Sequence, residues 1–125
     1  MLKFVETKEA PQAIGPYSQA VLAGSTLYIS GQTPVNPKTA KIEAVDVALQ
    51  TRQCLENIKA IALEAGYDVK NIVKCGVFLK SMNDFKNMNQ VYADFFGLHK
   101  PARVTVEVSK LPLDALVEID AICVK

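Results

Sequence analysis

Two oppositely charged side chains, fifteen positions apart near the end of the chain, are the residues best suited to chemistry. Arg103 lies in Pro101-Ala102-Arg103-Val104-Thr105-Val106-Glu107-Val108, and Glu118 lies in Ala115-Leu116-Val117-Glu118-Ile119-Asp120-Ala121-Ile122-Cys123-Val124. A guanidinium presents a planar fork that matches a carboxylate with two parallel hydrogen bonds. The small Ala102 and the short polar Thr105 beside it leave room for a small ligand. Glu118 sits between Val117 and Ile119. Partial burial there raises its pKa towards a value useful for proton transfer, while a nearby arginine lowers it. Such a pair can hold a small amino-acid-like acid and activate water beside it. Plainer readings stand alongside: Arg103 as a surface cation or a partner of Glu107 or Asp120, and Glu118 as its structural ion-pair partner.

Other polar groups are weaker candidates. Tyr17, Ser30 and Asn89 can orient a ligand, although each also fits a turn or a helix surface. Gly31 implies close backbone approach or a positive φ. His99 is the single histidine. It assembles neither a His-pair metal site nor a Ser-His-Asp triad, and is expected in a solvated loop. The chain contains neither a phosphate-binding P-loop nor a Gly-x-Gly-x-x-Gly.

The elements that must position these residues follow from periodicity. In both C-terminal stretches polarity alternates with period two, the mark of strands. Ala102, Val104, Val106 and Val108 then point one way, and Arg103, Thr105 and Glu107 the other. Ala115, Val117, Ile119 and Ala121 form an apolar face opposite Glu118 and Asp120. In one sheet, Arg103 and Glu118 are therefore expected to share the non-core face. Upstream, residues 2–6 read as a short edge strand, residues 10–19 as a Pro/Gly-restrained loop, and 18–22 with 26–30 as a hairpin turning at Ala23-Gly24-Ser25. A turn at Asn36–Thr39 interrupts the following loop. Asp46 to Ala65 carries apolar residues at three- and four-residue spacing, with Asp46 to cap it and Gly66 to stop it. Asn71 to Lys80 reads as a strand with Val73, Cys75, Val77 and Leu79 on one face. A second helix, capped by Asn83 or Asp84, ends at Gly97, with Phe85, Met88, Tyr92, Phe95 and Phe96 as its core stripe. The order β-β-β, α, β, α, β-β predicts an α+β layer fold with both helices on one sheet face. The other face, carrying Phe78, Leu116 and Ile122, calls for a second subunit, with Arg103 and Glu118 near the seam.

Length and composition narrow the field. The 125 residues suffice for one domain with one core. Half the residues are hydrophobic and 22% are charged, which excludes a disordered chain. A net charge of +1 without a Lys/Arg run argues against a nucleic-acid or membrane surface. No apolar run approaches a membrane span, and residues 1–6 carry no signal-peptide core. Cys54, Cys75 and Cys123 are odd in number and scattered, as expected of buried apolar residues in a reducing compartment.

Beyond these readings, the chain resembles the Rid family, the reactive-intermediate (enamine/imine) deaminases also called YjgF-like proteins. The likeness rests on Pro101-Ala102-Arg103, Val106-Glu107-Val108, Leu111-Pro112 and Val117-Glu118-Ile119-Asp120-Ala121-Ile122. It extends to Ala13-Ile14-Gly15-Pro16-Tyr17-Ser18-Gln19, Ser30-Gly31-Gln32-Thr33-Pro34, Asn57–Ile61, Val77–Lys80 and Asn89–Phe96. The resemblance implies a single domain over residues 1–125 with a chorismate-mutase-like fold, about six strands in a mixed sheet and two helices on one face. It also implies a cytoplasmic homotrimer with three clefts between subunits, and hydrolysis of 2-imino acids to 2-oxo acids and ammonia without a metal or organic cofactor. Arg103 would hold the substrate carboxylate and Glu118 would position or activate water. Tyr17, Ser30, Gly31 and Asn89 would line the cleft, and Thr105 would contribute largely through its backbone. The chain departs from many members at Val104, where serine is common, and at Thr105, where cysteine is common. Either departure can shift substrate preference. A non-catalytic trimer binding small carboxylates, and an endoribonuclease, are the alternatives that relatives suggest.

Overall fold

The computed structural model describes all of residues 1–125. Strands β1 (Leu2–Val5), β2 (Ala20–Ala23) and β3 (Thr26–Gln32) are followed by helix α1 (Val47–Glu64) and strand β4 (Ile72–Leu79). Helix α2 (Phe85–Phe96), β5 (Ala102–Glu107) and β6 (Val117–Val124) complete the chain. The six strands form one sheet in the order β1-β2-β3-β6-β4-β5. All neighbours are antiparallel except β4 and β5, which run parallel and are joined through α2. The expected α+β sheet with two helices is therefore what the chain forms. No helix is long and apolar enough to cross a membrane.

Local chemistry sets the element ends. Asp46 caps α1 by accepting the Leu49 N–H at 2.8 Å. Gly66 follows that helix with φ +82°, a conformation that suits glycine. The second helix begins differently from expectation. A short 3₁₀ turn, Met82–Asp84, precedes it, and Ser81 supplies the side-chain cap while Asp84 makes none. The core lies between the helices and one sheet face. Leu55, Ile58 and Ile61 of α1 and Met88 of α2 meet Leu27, Ile72, Val77, Leu79, Val117 and Ile119, all fully buried. Burying such a side chain contributes about 1.5–3 kcal/mol each.

Four expectations need correction. β4 does not alternate throughout, because a bulge between Ile72 and Lys74 resets its phase. Ile72 is consequently in the core and Val73 is 43% exposed. The valines of β5 do not face the core either. Val104 and Val106 are paired with Gly76 and Phe78 and remain 46% and 38% exposed on the helix-free face. Leu116, expected on that bare face, packs against the core cluster. Phe78 and Ile122 do lie on the helix-free face, half-buried, beside the exposed Phe4 and Tyr28. His99 is not solvated: its Nε2 donates to the Ile72 carbonyl at 2.6 Å and ties the approach to β5 onto the bulge.

The loop that carries Tyr17 is wound around one buried amide. Gln19 is 3% exposed. Its Oε1 accepts the Thr7 N–H at 2.7 Å, and its Nε2 donates to the carbonyls of Thr7 (3.0 Å), Ala10 (3.3 Å) and Pro11 (2.7 Å). Gln19→Ala is expected to cost about 2–4 kcal/mol in urea unfolding, since it orphans several buried backbone groups. Residues 7–18 should then become the first site of limited proteolysis. A loss below about 1 kcal/mol with an unchanged cleavage pattern would contradict this.

Candidate functional site

The structure distributes the candidate residues over two half-sites. Pairing of β4 with β5 places Arg103 opposite Cys75 and Thr105 opposite Val77. Both β4 residues are buried in the core, so Arg103 and Thr105 share the helix-side face at the sheet edge. Pairing of β4 with β6 places Glu118 opposite Phe78, on the other face. The expectation that Arg103 and Glu118 share one face is thus overturned within a single chain. The reason is the β5 phase. Its valines look like a core stripe in sequence but cover the helix-free side.

The first half-site is built on α2. Phe85, Asn89 and Tyr92 recur at i, i+4 and i+7, so all three point from one helix face towards the β5 edge. Asn89 Oδ1 accepts a hydrogen bond from Arg103 Nη1 at 2.7 Å. The guanidinium carbon stands 4.7 Å from the Tyr92 ring centroid and 5.6 Å from that of Phe85. Two rings and one amide therefore fix an exposed cation in place. A guanidinium has five N–H donors, so the fork remains available to an incoming carboxylate. Neither Glu107 nor Asp120 pairs with it. Glu107 accepts the Met82 N–H at 2.8 Å and Asp120 accepts the Gly76 N–H at 2.8 Å. Phe85 and Tyr92 escape the sequence reading because their spacing also fits a core stripe, and Tyr92 does both jobs.

The second half-site lies on the opposite face. Glu118 is half-buried above Gly31, so close that a Cβ on Gly31 would overlap Glu118 Oε2. Glycine there gives the carboxylate its seat. Burial pushes the Glu118 carboxyl above its ordinary value of 4.5, and the negative charge of Asp120 adds to the rise. The Ser30 hydroxyl is spent on the Ser18 carbonyl at 2.6 Å, which ties the Tyr17 loop to β3. Tyr17 itself is 53% exposed. Ser30 thus acts on the framework, and Tyr17 and Glu118 are the groups left open. The sheet brings Gly31 to Glu118 and α2 brings Asn89 to Arg103, but nothing within one chain joins the two sets.

No three of the His, Cys, Asp and Glu side chains converge as a metal site would require. All three cysteines are free and buried, and burial pushes the thiols of Cys75 and Cys123 up to about 11. Two shallow grooves of about 350 and 320 Å³ flank α1, yet none of the candidate residues lines either.

Comparison with known proteins agrees with the fold. The sequence pattern described as endoribonuclease L-PSP matches residues 7–125. A RutC family protein of Pyrococcus horikoshii is 56% identical over 100% of this chain and 99% of its own length. The 2-iminobutanoate/2-iminopropanoate deaminase of Escherichia coli is 51% identical over 100% of this chain and 99% of its own. Among solved structures, a conserved Rid family protein of unknown function from Yersinia pestis superposes with TM-score 0.97, 48% identity and full coverage of both chains. TdcF of Escherichia coli, solved with bound serine, gives TM-score 0.95 and 48% identity over 98% of each chain.

The α2 cradle makes a direct prediction. Asn89→Ala removes the bond that orients the fork, so calorimetric affinity for 2-oxobutanoate should fall about 3–10-fold. Its effect on thermal stability should be slight, because Asn89 is not buried in the core. Unchanged affinity would show that the amide does not hold the guanidinium in its working position.

Proposed function

Because the chain belongs to the endoribonuclease L-PSP family, the family of the Rid and YjgF proteins, we propose that it hydrolyses reactive 2-imino acids such as 2-iminobutanoate and 2-iminopropanoate. The products are the 2-oxo acid and ammonia, and no metal or organic cofactor takes part. The observation that carries this reading is the division of the site. One chain offers a carboxylate-binding fork on one sheet face and a proton-accepting carboxylate on the other. Copies of the chain complete each other if the β5 edge of one meets the helix-free face of the next. In the proposed homotrimer each of three clefts takes Arg103 and Asn89 from one copy and Glu118, Gly31 and Tyr17 from its neighbour. Exposed Val104, Val106, Phe4 and Tyr28 on the helix-free face support such burial. The bound serine of the TdcF structure and the name of the Escherichia coli deaminase support a small amino-acid-like ligand.

In this reading the substrate carboxylate rests on the Arg103 fork, which fixes the C=N carbon. Thr105 contributes through its backbone, and Ser30 holds the loop that carries Tyr17. Glu118 takes a proton from water as the oxygen bonds to carbon, giving a carbinolamine. The C=N electron pair moves to nitrogen, which takes that proton. Glu118 then accepts the carbinolamine hydroxyl proton and hands it to nitrogen as the C–N bond breaks, so that ammonia leaves the 2-oxo acid. Imines hydrolyse unaided in water, so general acid–base help of about 10²–10⁴-fold suffices. The three free thiols suit a reducing compartment, in keeping with a cytoplasmic protein. The family description also names an endoribonuclease. A net charge of +1 and two exposed guanidiniums, one of them paired with Glu56, give little purchase on a phosphate backbone.

The test is stopped-flow decay of imine generated in situ by a threonine dehydratase. Wild-type protein should accelerate it. Arg103→Ala should lower kcat/KM roughly 100-fold, and Glu118→Gln should lower kcat about 10²–10⁴-fold. Activity should rise with pH as Glu118 loses its proton and becomes able to accept one from water. Full activity in Arg103→Ala would sink the proposal. Binding of 2-oxobutanoate without any acceleration would favour a non-catalytic carboxylate-binding trimer instead.

A further inference from the structure

The helix-free face holds a second carboxylate that the reaction above does not use. Asp120 lies two residues beyond Glu118 on β6, on the same face and roughly 6.6 Å along the strand. It is held firmly. Its Oδ1 accepts the N–H of Gly76 at 2.8 Å, directly across on β4. A Cβ on Gly76 would lie 2.6 Å from that oxygen, so the slot exists only because residue 76 is glycine. Gly31 beneath Glu118 repeats the arrangement one strand away on the other side of β6. Two neighbouring carboxylates are thus each seated over a glycine on an adjoining strand. Neither has a cation within ion-pair distance, since Arg52 with Glu56 is the only such pair in the chain.

We propose that Asp120 is a positioning residue for the reaction, holding a fixed negative charge beside Glu118. The inference rests on the reading of Glu118 as the proton acceptor. Like charges at this distance disfavour the second ionisation, and the half-buried setting strengthens the effect. The direction of the Glu118 shift, caused first by burial and then by Asp120, accords with it. A carboxylate that binds its proton more tightly is the stronger base for water, and once protonated it keeps the proton long enough to hand it to the departing nitrogen.

The other groups around Glu118 do not reproduce this charge. From β3 come Tyr28, Ser30 and Gly31; from β4 Lys74 and Phe78, with Lys80 just beyond its end; from β5 Val104 and Val106. Beneath it is the Cys54 thiol of α1, which donates to the Val117 carbonyl, and Tyr17 stands on the neighbouring loop. The opposing charges, Lys74 and Lys80 of the same copy and, in the proposed trimer, Arg103 of the neighbouring copy, are common to every variant compared below.

Asp120→Asn separates charge from geometry, because its amide oxygen can still accept the Gly76 N–H. Carboxyl-carbon NMR titration of the assembled protein, with Glu118 assigned through Glu118→Gln, reads the coupling without any activity. The Glu118 midpoint should move to lower pH in Asp120→Asn. The acid limb of kcat/KM for imine hydrolysis should move the same way, and its plateau should fall severalfold. Asp120→Glu, which keeps the charge, should leave the Glu118 midpoint close to that of the wild type. Should Asp120→Asn fail to fold, the wild-type Asp120 resonance must itself show a second inflection at the Glu118 midpoint. A Glu118 midpoint that does not respond to Asp120→Asn, or a wild-type Asp120 signal with no such inflection, overturns the proposal. Absence of imine hydrolysis with an intact NMR response would instead count against the deaminase reading alone.

Discussion

The alternation of side chains across a pleated sheet is the constraint on which the rest of this structure depends. Residues paired between strands share a face. The parallel join of β4 to β5 therefore commits Arg103 to the helix side, through Cys75. The antiparallel join of β4 to β6 commits Glu118 to the other side, through Phe78. No rotamer change can bring the two together in one chain, because a sheet lies between them. A shift of β5 by a single residue would put Arg103 on the helix-free face and take it away from Phe85, Asn89 and Tyr92.

Each half-site is stiffened by different means. The cation is exposed and long, so its freedom is limited from the side by two rings and an amide on successive turns of α2. The carboxylates are short and sit on strands. They are fixed from below, by the absence of a Cβ at Gly31 and Gly76. The loop that brings Tyr17 has neither helix nor sheet to support it and hangs on the Gln19 amide and the Ser30 hydroxyl instead. Rigid elements thus carry the charges, and a tethered loop carries the neutral group.

Much of this was legible in the sequence. Element order, the α1 cap at Asp46, the hairpin turn at Gly24 and the apolar stripe of β6 follow from patterns the structure repeats. Local misreadings have identifiable causes. The β4 phase failed at Val73 because a bulge is not encoded in period-two alternation. The β5 phase failed because alternation reports two unlike faces without saying which is the core. An outward face can be as apolar as an inward one, as the exposed Val104 and Val106 show. The cradle residues Phe85 and Tyr92 were hidden because helix spacing serves packing and function alike. Asp120 was visible as a charge on a strand, but its Gly76 partner lies 44 positions away and only the β4–β6 register brings them together.

The central claim is that a working site needs the fork of one copy and the carboxylate of another. Subunit complementation tests it most directly: inactive Arg103→Ala and Glu118→Gln proteins are unfolded together, refolded at equal amounts and assayed. If sites lie between copies, a randomly mixed assembly has a half chance of an intact Arg103 and a half chance of an intact Glu118 at each site, so about one quarter of wild-type activity should return. No recovery from a mixture shown by mass spectrometry to contain hetero-oligomers would contradict the account.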